Sequence, residues 1–113
     1  MEITIDSNET RHIITLDGRV DAFQVPALRK HIETFADHAN QNYIVDLSTV
    51  DFLDSAGMAV LVKLLKQART QSGEVVLIWS QHQEANRILT LTRFDKVFNM
   101  ADDMDGAINH LEG

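Results

Sequence analysis

The chain of 113 residues contains no cysteine, which excludes a disulfide framework and any thiolate-bound metal. It fits a reducing compartment. No apolar run comes near the roughly 20 residues of a membrane-spanning helix, and Met1-Glu2-Ile3-Thr4 does not resemble a secretory signal. A cytoplasmic protein without membrane contact is expected. Basic clusters are missing as well. Ten Lys and Arg stand against 17 Asp and Glu, a net charge of −7 spread along the sequence. A nucleic-acid surface needs clustered cations to displace the counterions of phosphates, so no nucleic-acid partner is expected. The phosphate-binding patterns G-x-x-x-x-G-K-[ST] and G-x-G-x-x-G do not occur. There is no repeat and no linker.

What is present is an ordinary globular composition. Hydrophobic residues make up 44% of the chain, enough for one core, and the length sets a single domain over residues 1–113. Ile3 and Ile5, then Ile13, Ile14 and Leu16, form two β-type runs divided by the turn-like Ser7-Asn8-Glu9. Asp17-Gly18 reads as a turn, with Arg19-Val20 resuming extended chain. Asp21 to Ala39 carries Phe23, Leu28, Ile32 and Phe35 near helical spacing. Asp21 with Gln24 suits a capping box, and Pro26 suits the first turn of the regular helix. Tyr43-Ile44-Val45 and Val75 to Trp79 are continuous apolar runs, the pattern of strands covered on both faces. Ser55 to Ser72 is the best helix, with Gly73 as its left-handed stop. Gln83 to Leu91 reads as a short helix, Lys96 to Met100 as an edge strand, and Asp102 to Leu111 as a terminal helix. Such alternation predicts an α/β domain with a largely parallel sheet and one antiparallel edge.

The chemistry concentrates in Asp54-Ser55-Ala56-Gly57, between a strand and the long helix. Either Ser55 or Asp54 is placed to cap the helix. The helix that follows carries Met58, Ala59, Val60, Leu61, Val62, Leu64 and Leu65, with Lys63, Lys66, Gln67 and Thr70 as its polar side. That apolar arc is wider than one sheet requires, so Met58 and Ala59 face either a partner or the core. A nucleophilic role for Ser55 lacks support. The elbow G-x-S-x-G is not met, since Leu53 stands two residues before the serine. His12, His31, His38, His82 and His110 are scattered through polar segments and are expected to be mostly solvated, so no triad forms. The tail "ADDMDGAINHLE" places Asp103, Asp105, Gly106 and Glu112 at calcium-loop offsets, but Ala101 holds the first ligand position. A capped helix is the better reading. No enzyme activity, metal or cofactor is expected.

The stretch "VDLSTVDFLDSAGMAVLVKLLKQARTQSGEVVLI" resembles the core of the STAS family, in particular bacterial anti-sigma-factor antagonists, and "LDGRVDA" is similar to the family's hairpin and helix start. The resemblance implies a small STAS domain over 1–113, with a mixed, mostly parallel sheet and helices mainly on one face. It implies phosphorylation at Ser55 and partner binding through Asp54, Ser55, Ala56, Gly57 and Met58. The implied cycle has an anti-sigma-factor serine kinase that binds the unphosphorylated form, and a PP2C-type phosphatase that resets the serine. The free protein would be a monomer. A partner switch or subunit with another output (secretion, biofilm formation, a transport complex) is the alternative. Asp46 is read as the end of the central strand, either bracing the loop or simply exposed.

Overall fold

The structure, a computed structural model, describes residues 2–35 and 39–112. Five strands line up in chain order. β1 (Glu2–Ser7) pairs antiparallel with β2 (Arg11–Val20); β3 (Asn42–Leu53), β4 (Glu74–Ile78) and β5 (Asn99–Ala101) follow in parallel. The helices between them are α1 (Val25–Glu33), α2 (Ser55–Thr70), α3 (Gln83–Leu91) and the single turn α4 (Phe94–Val97), and α5 (Met104–Glu112) follows the last strand.

The continuous apolar runs arise because the central strands are covered on both faces. Ile14, Leu16, Tyr43, Val45, Leu47, Val75 and Leu77 point into a main core shared with α1, α2 and α3. Ile44, Val76 and Ile78 point the other way, onto Ala107 of α5. The helices are therefore mainly on one face, with α5 alone closing the other. Val60, Leu61, Leu64 and Leu65 put α2 against the main core, each 2% exposed or less. Burial on that scale stabilises by about 1.5–3 kcal/mol per side chain.

Several local expectations are corrected. Asp17-Gly18 is no turn. β2 runs straight through it with a bulge, Gly18 at φ 87°, and pairing with β3 shifts register on either side. The left-handed backbone that makes the dipeptide a turn former is here absorbed inside a paired strand. The consequence matters for the site: β2 and β3 continue together to Val20 and Leu53, beyond the last β3–β4 pair at Asp46 and Ile78.

α1 is also shorter than its spacing suggested. It starts at Val25 with Pro26 in its first turn, and Gln24 makes no side-chain cap. Asp21 instead accepts from the backbone N–H of Phe23 and Gln24 at 3.2 and 3.3 Å, an Asx-type turn ahead of the helix. Phe23 therefore lies outside the helix and is 89% exposed, while Leu28, Ile32 and Phe35 are buried. At the other end, Thr34 and Phe35 bond back three residues, to His31 and Ile32, which tightens and ends the helix. Residues 36–38, including His38, lie outside the described residues.

The stop of α2 is Ser72, at φ 66°, not Gly73. Lys96 and Val97 belong to α4: Phe98 N–H donates to the Phe94 carbonyl at 2.8 Å and the two rings pack 5.3 Å apart. That turn confines β5 to three residues. Among the described residues one histidine is not solvated. His12 is buried, with its ring nitrogens 2.7 Å from Ser7 Oγ and from Gln41 Oε1, flanked by the rings of Phe35 and Tyr43. Among the described residues no helix is long and apolar enough to cross a membrane.

Candidate functional site

The β2–β3 ribbon delivers the start of α2 to the end of Val20. Asp54 sits at the N-cap in extended conformation, and its Oδ1 accepts from Gly57 N–H at 2.9 Å. Its Oδ2 accepts from Ala22 N–H at 2.8 Å, while Asp54 N–H donates to the Val20 carbonyl at 3.2 Å. One side chain thus ties the start of α2 to the segment leading into α1. The Gly57 bond holds the Asp54 carboxyl below the ordinary carboxylate range, against an opposing desolvation. The N–H groups of Ala22 and Ala56 and the charge of Arg19 lower it further. The cap is Asp54. Ser55, the other candidate, is the first helical residue.

Gly57 has an equally physical reason to be there. A Cβ at that position would run into the Val20 carbonyl oxygen and come within 2.8 Å of Val20 Cγ1. Helix and ribbon can approach this closely only through a glycine. Asp54 and Gly57 are thus both held by the fold, and Ala56 is half-buried. Ser55 is different. It is exposed, and its hydroxyl has no hydrogen-bond partner among the described residues.

Met58 is only 5% exposed and belongs to the main core, whereas Ala59 beside it is exposed. What remains of Met58's surface opens onto a groove of about 600 Å³ that begins at Ser55. Ala59, Val62, Lys63 and Lys66 of α2 form one wall; Thr92, at the end of α3, and Phe94, the first residue of α4, form the other. The second wall was hidden in the sequence because Phe94 precedes a segment that reads as strand. Asp46 does not end β3, which continues to Leu53, and its carboxylate accepts from Ser48 N–H at 2.9 Å rather than reaching the Ser55 turn. Asp51 is exposed on the ribbon. Arg19, which the sequence did not single out, lies 4.2 Å over the Phe52 ring and pairs with Asp21 at 3.3 Å. Among the described residues no cluster of His, Asp or Glu could hold a metal ion.

The STAS domain pattern matches residues 2–107. The chain belongs to the STAS domain family. An anti-sigma-B factor antagonist of Listeria monocytogenes is 31% identical to this STAS domain over 78 residues, which is 68% of each chain. A solved anti-sigma factor antagonist from Mycobacterium paratuberculosis has a TM-score of 0.86 at 21% identity, covering 99% of this chain and 94% of that one. SpoIIAA in its unphosphorylated form has a TM-score of 0.77 at 18% identity, covering 99% of both chains. The phosphorylated form, from Bacillus, gives 0.73 at 16% identity over 96% of this chain and 98% of that one. These structures share the STAS fold described above, a mixed five-strand sheet with its helices.

Proposed function

We propose that this STAS domain is an anti-sigma-factor antagonist switched by phosphorylation at Ser55. The unphosphorylated form binds and sequesters an anti-sigma-factor serine kinase in the cytoplasm. The kinase phosphorylates Ser55 and releases the domain, and a PP2C-type phosphatase restores it. The chain performs no catalysis itself and is a monomer when free. The observation that carries the reading is the contrast within one turn: Asp54 and Gly57 are committed to the fold, while Ser55 offers a free hydroxyl to solvent. The names of the relatives support the antagonist role.

Phosphate on Ser55 adds about −1.5 to −2 charge. A helix N-terminus ordinarily welcomes an anion, but Asp54 already accepts from Gly57 and Ala22. The phosphate therefore projects outward beside an existing carboxylate. The scaffold keeps its shape and the change is felt by whatever docks there, as repulsion and bulk in a partly desolvated contact. A loss of affinity on the order of 10²-fold, or about 2.7 kcal/mol, is expected.

The test uses an anti-sigma-factor serine kinase from the organism that supplies this chain. With that kinase and Mg-ATP, mass spectrometry should find one phosphate, at Ser55, and none in Ser55→Ala. Calorimetric titration should give tight binding for the unmodified protein and Ser55→Ala, weak binding for the phosphoprotein, and an intermediate value for Ser55→Asp. Labelling elsewhere that persists in Ser55→Ala, or equal affinity for both forms, refutes the switch. ATP turnover by the purified chain alone refutes the non-enzymatic role.

A further inference from the structure

The groove beside Ser55 has a shape and a charge pattern that the phosphorylation site alone does not use. From Ser55 to Lys66 its α2 wall covers eleven residues of rise, about 16 Å. The lining side chains recur along one helical stripe, opposite Thr92 and Phe94. Ala59, Lys63 and Lys66 are exposed, so the groove is open along its length. A small ligand would stay wetted on that open side, whereas small-molecule sites enclose most of their ligand.

Three large hydrophobic residues are exposed and stand next in sequence, or by a backbone bond, to elements of this region. Among the described residues the large ones are Phe23, Leu91 and Val97, at 89%, 72% and 46% exposure. Leu91 adjoins Thr92 in the groove wall. Val97 lies on α4, where its carbonyl accepts from Arg69 of α2 at 3.3 Å. Phe23 follows Ala22, the residue bonded to Asp54. Met58, Ala59, Val62 and Phe94 make much of the groove's own lining apolar, and an open apolar lining on a domain surface marks a docking site. Its far half is basic in a chain of net charge −7. Lys63 and Lys66 form no ion pair among the described residues, so their charge serves no partner within the fold.

We propose that the groove seats an amphipathic helical segment of the kinase that reads Ser55, apolar on one face and carrying carboxylates that meet Lys63 and Lys66. An apolar helix face of about three turns matches the length, in the helix-in-groove manner of recognition. The partner's carboxylates answer the two ammonium groups and set the direction in which the segment lies. The proposal rests on the reading of Ser55 as the switch that this kinase modifies.

The test is a calorimetric titration of the same kinase with the full chain and two variants, Ala59→Glu and the double variant Lys63→Glu/Lys66→Glu. Ala59→Glu should bind at least about tenfold more weakly, the scale of a single hot-spot residue, with an unchanged melting temperature. The lysine variant should bind about tenfold more weakly at low salt and lose most of the salt dependence shown by the unmodified chain. Carbodiimide treatment of the complex should join Lys63 or Lys66 to an Asp or Glu in a helical segment of the kinase. Wild-type affinity in both variants overturns the proposal, as do cross-links that avoid both lysines. Self-association of the free chain that the groove variants abolish, with kinase binding intact, assigns the groove to a second copy and also overturns it. The two readings separate cleanly. Phosphorylation that leaves affinity unchanged removes the Ser55 switch even where groove variants weaken binding. Phosphorylation that releases a kinase indifferent to the groove variants removes the groove alone.

Discussion

Two glycines in this chain occupy the same local position and should respond to alanine with opposite signs. Gly57 donates its N–H to Asp54 Oδ1 at 2.9 Å in the first turn of α2; Gly106 donates to Asp103 Oδ1 at 2.7 Å in the first turn of α5. By helix propensity alone, either substitution should stabilise by up to about 1 kcal/mol. At Gly106 the added Cβ meets only the Asp103 carboxylate at 3.2 Å and the Ala101 side chain at 3.7 Å. Asp103 can shift slightly, so Gly106→Ala should be neutral or stabilising. At Gly57 the obstacle is the Val20 carbonyl, with Val20 Cγ1 at 2.8 Å. That backbone is held by β2–β3 pairing through Val20 and Leu53, so α2 must move away from the ribbon. Overpacking of this kind costs about 1–3 kcal/mol. Set against a propensity gain of up to about 1 kcal/mol, Gly57→Ala should destabilise by up to about 2 kcal/mol, a drop of up to roughly 15 °C in melting temperature for a domain of this size. Because Asp54 is bonded to both α2 and Ala22, the shift should also weaken kinase binding. Scanning calorimetry of the two variants, with urea titration as a second measure, decides it. Stabilisation of Gly57→Ala equal to that of Gly106→Ala would refute the account of why α2 begins with this glycine.

Asp54→Asn should destabilise the domain at neutral pH, because the amide can accept from Gly57 but offers no second anionic oxygen to Ala22. The carboxyl of Asp54 is depressed in the fold, so its contribution is complete above the unfolded value of about 3.9 and is lost as pH falls through the lower folded one. Melts of wild type and Asp54→Asn should accordingly converge as the buffer becomes acid; a gap that persists unchanged at low pH contradicts this. Phe23→Ser should change stability by no more than about 0.5 kcal/mol, while Leu28→Ala should cost about 2–5 kcal/mol, because Phe23 is exposed and Leu28 is 1% exposed. Comparable losses in urea titrations would place Phe23 in the core after all. Ser55→Ala should melt within about 0.5 kcal/mol of wild type, since the cap belongs to Asp54; a loss near 1 kcal/mol would make the serine a structural cap.

The alternation of strand and helix was legible because burial on two faces writes itself as unbroken apolar runs, at Tyr43-Ile44-Val45 and from Val75 onward. The same holds for α2, whose sixteen residues carry both a wide apolar arc and a clear start. Where local chemistry and long-range pairing disagreed, pairing won. Asp17-Gly18 would turn a free hairpin, but β3 runs alongside and keeps the strand extended through a bulge. Phe23 has helical spacing to Leu28 and Ile32, yet Asp21 and Pro26 set the helix start after it, and spacing has no meaning outside the helix. His12 looked solvated by its polar neighbours; the chain brings Phe35, Gln41 and Tyr43 to it from elsewhere.

The sequence alone determined the identity of the turn Asp54-Ser55-Ala56-Gly57 and its position between a buried strand and a long helix, because a cap, a hydroxyl and a glycine at fixed spacing are local facts. Which oxygen caps, and why the glycine is needed, were decided only by tertiary structure. Both answers depend on Val20 and Ala22, more than thirty residues earlier in the chain. The groove is of the same kind. Its α2 wall is a stripe any helical wheel displays, but a groove needs a second wall, and Phe94 takes its place there after Arg93, whose left-handed backbone separates α3 from α4. No periodicity in the sequence encodes a contact between residues so far apart.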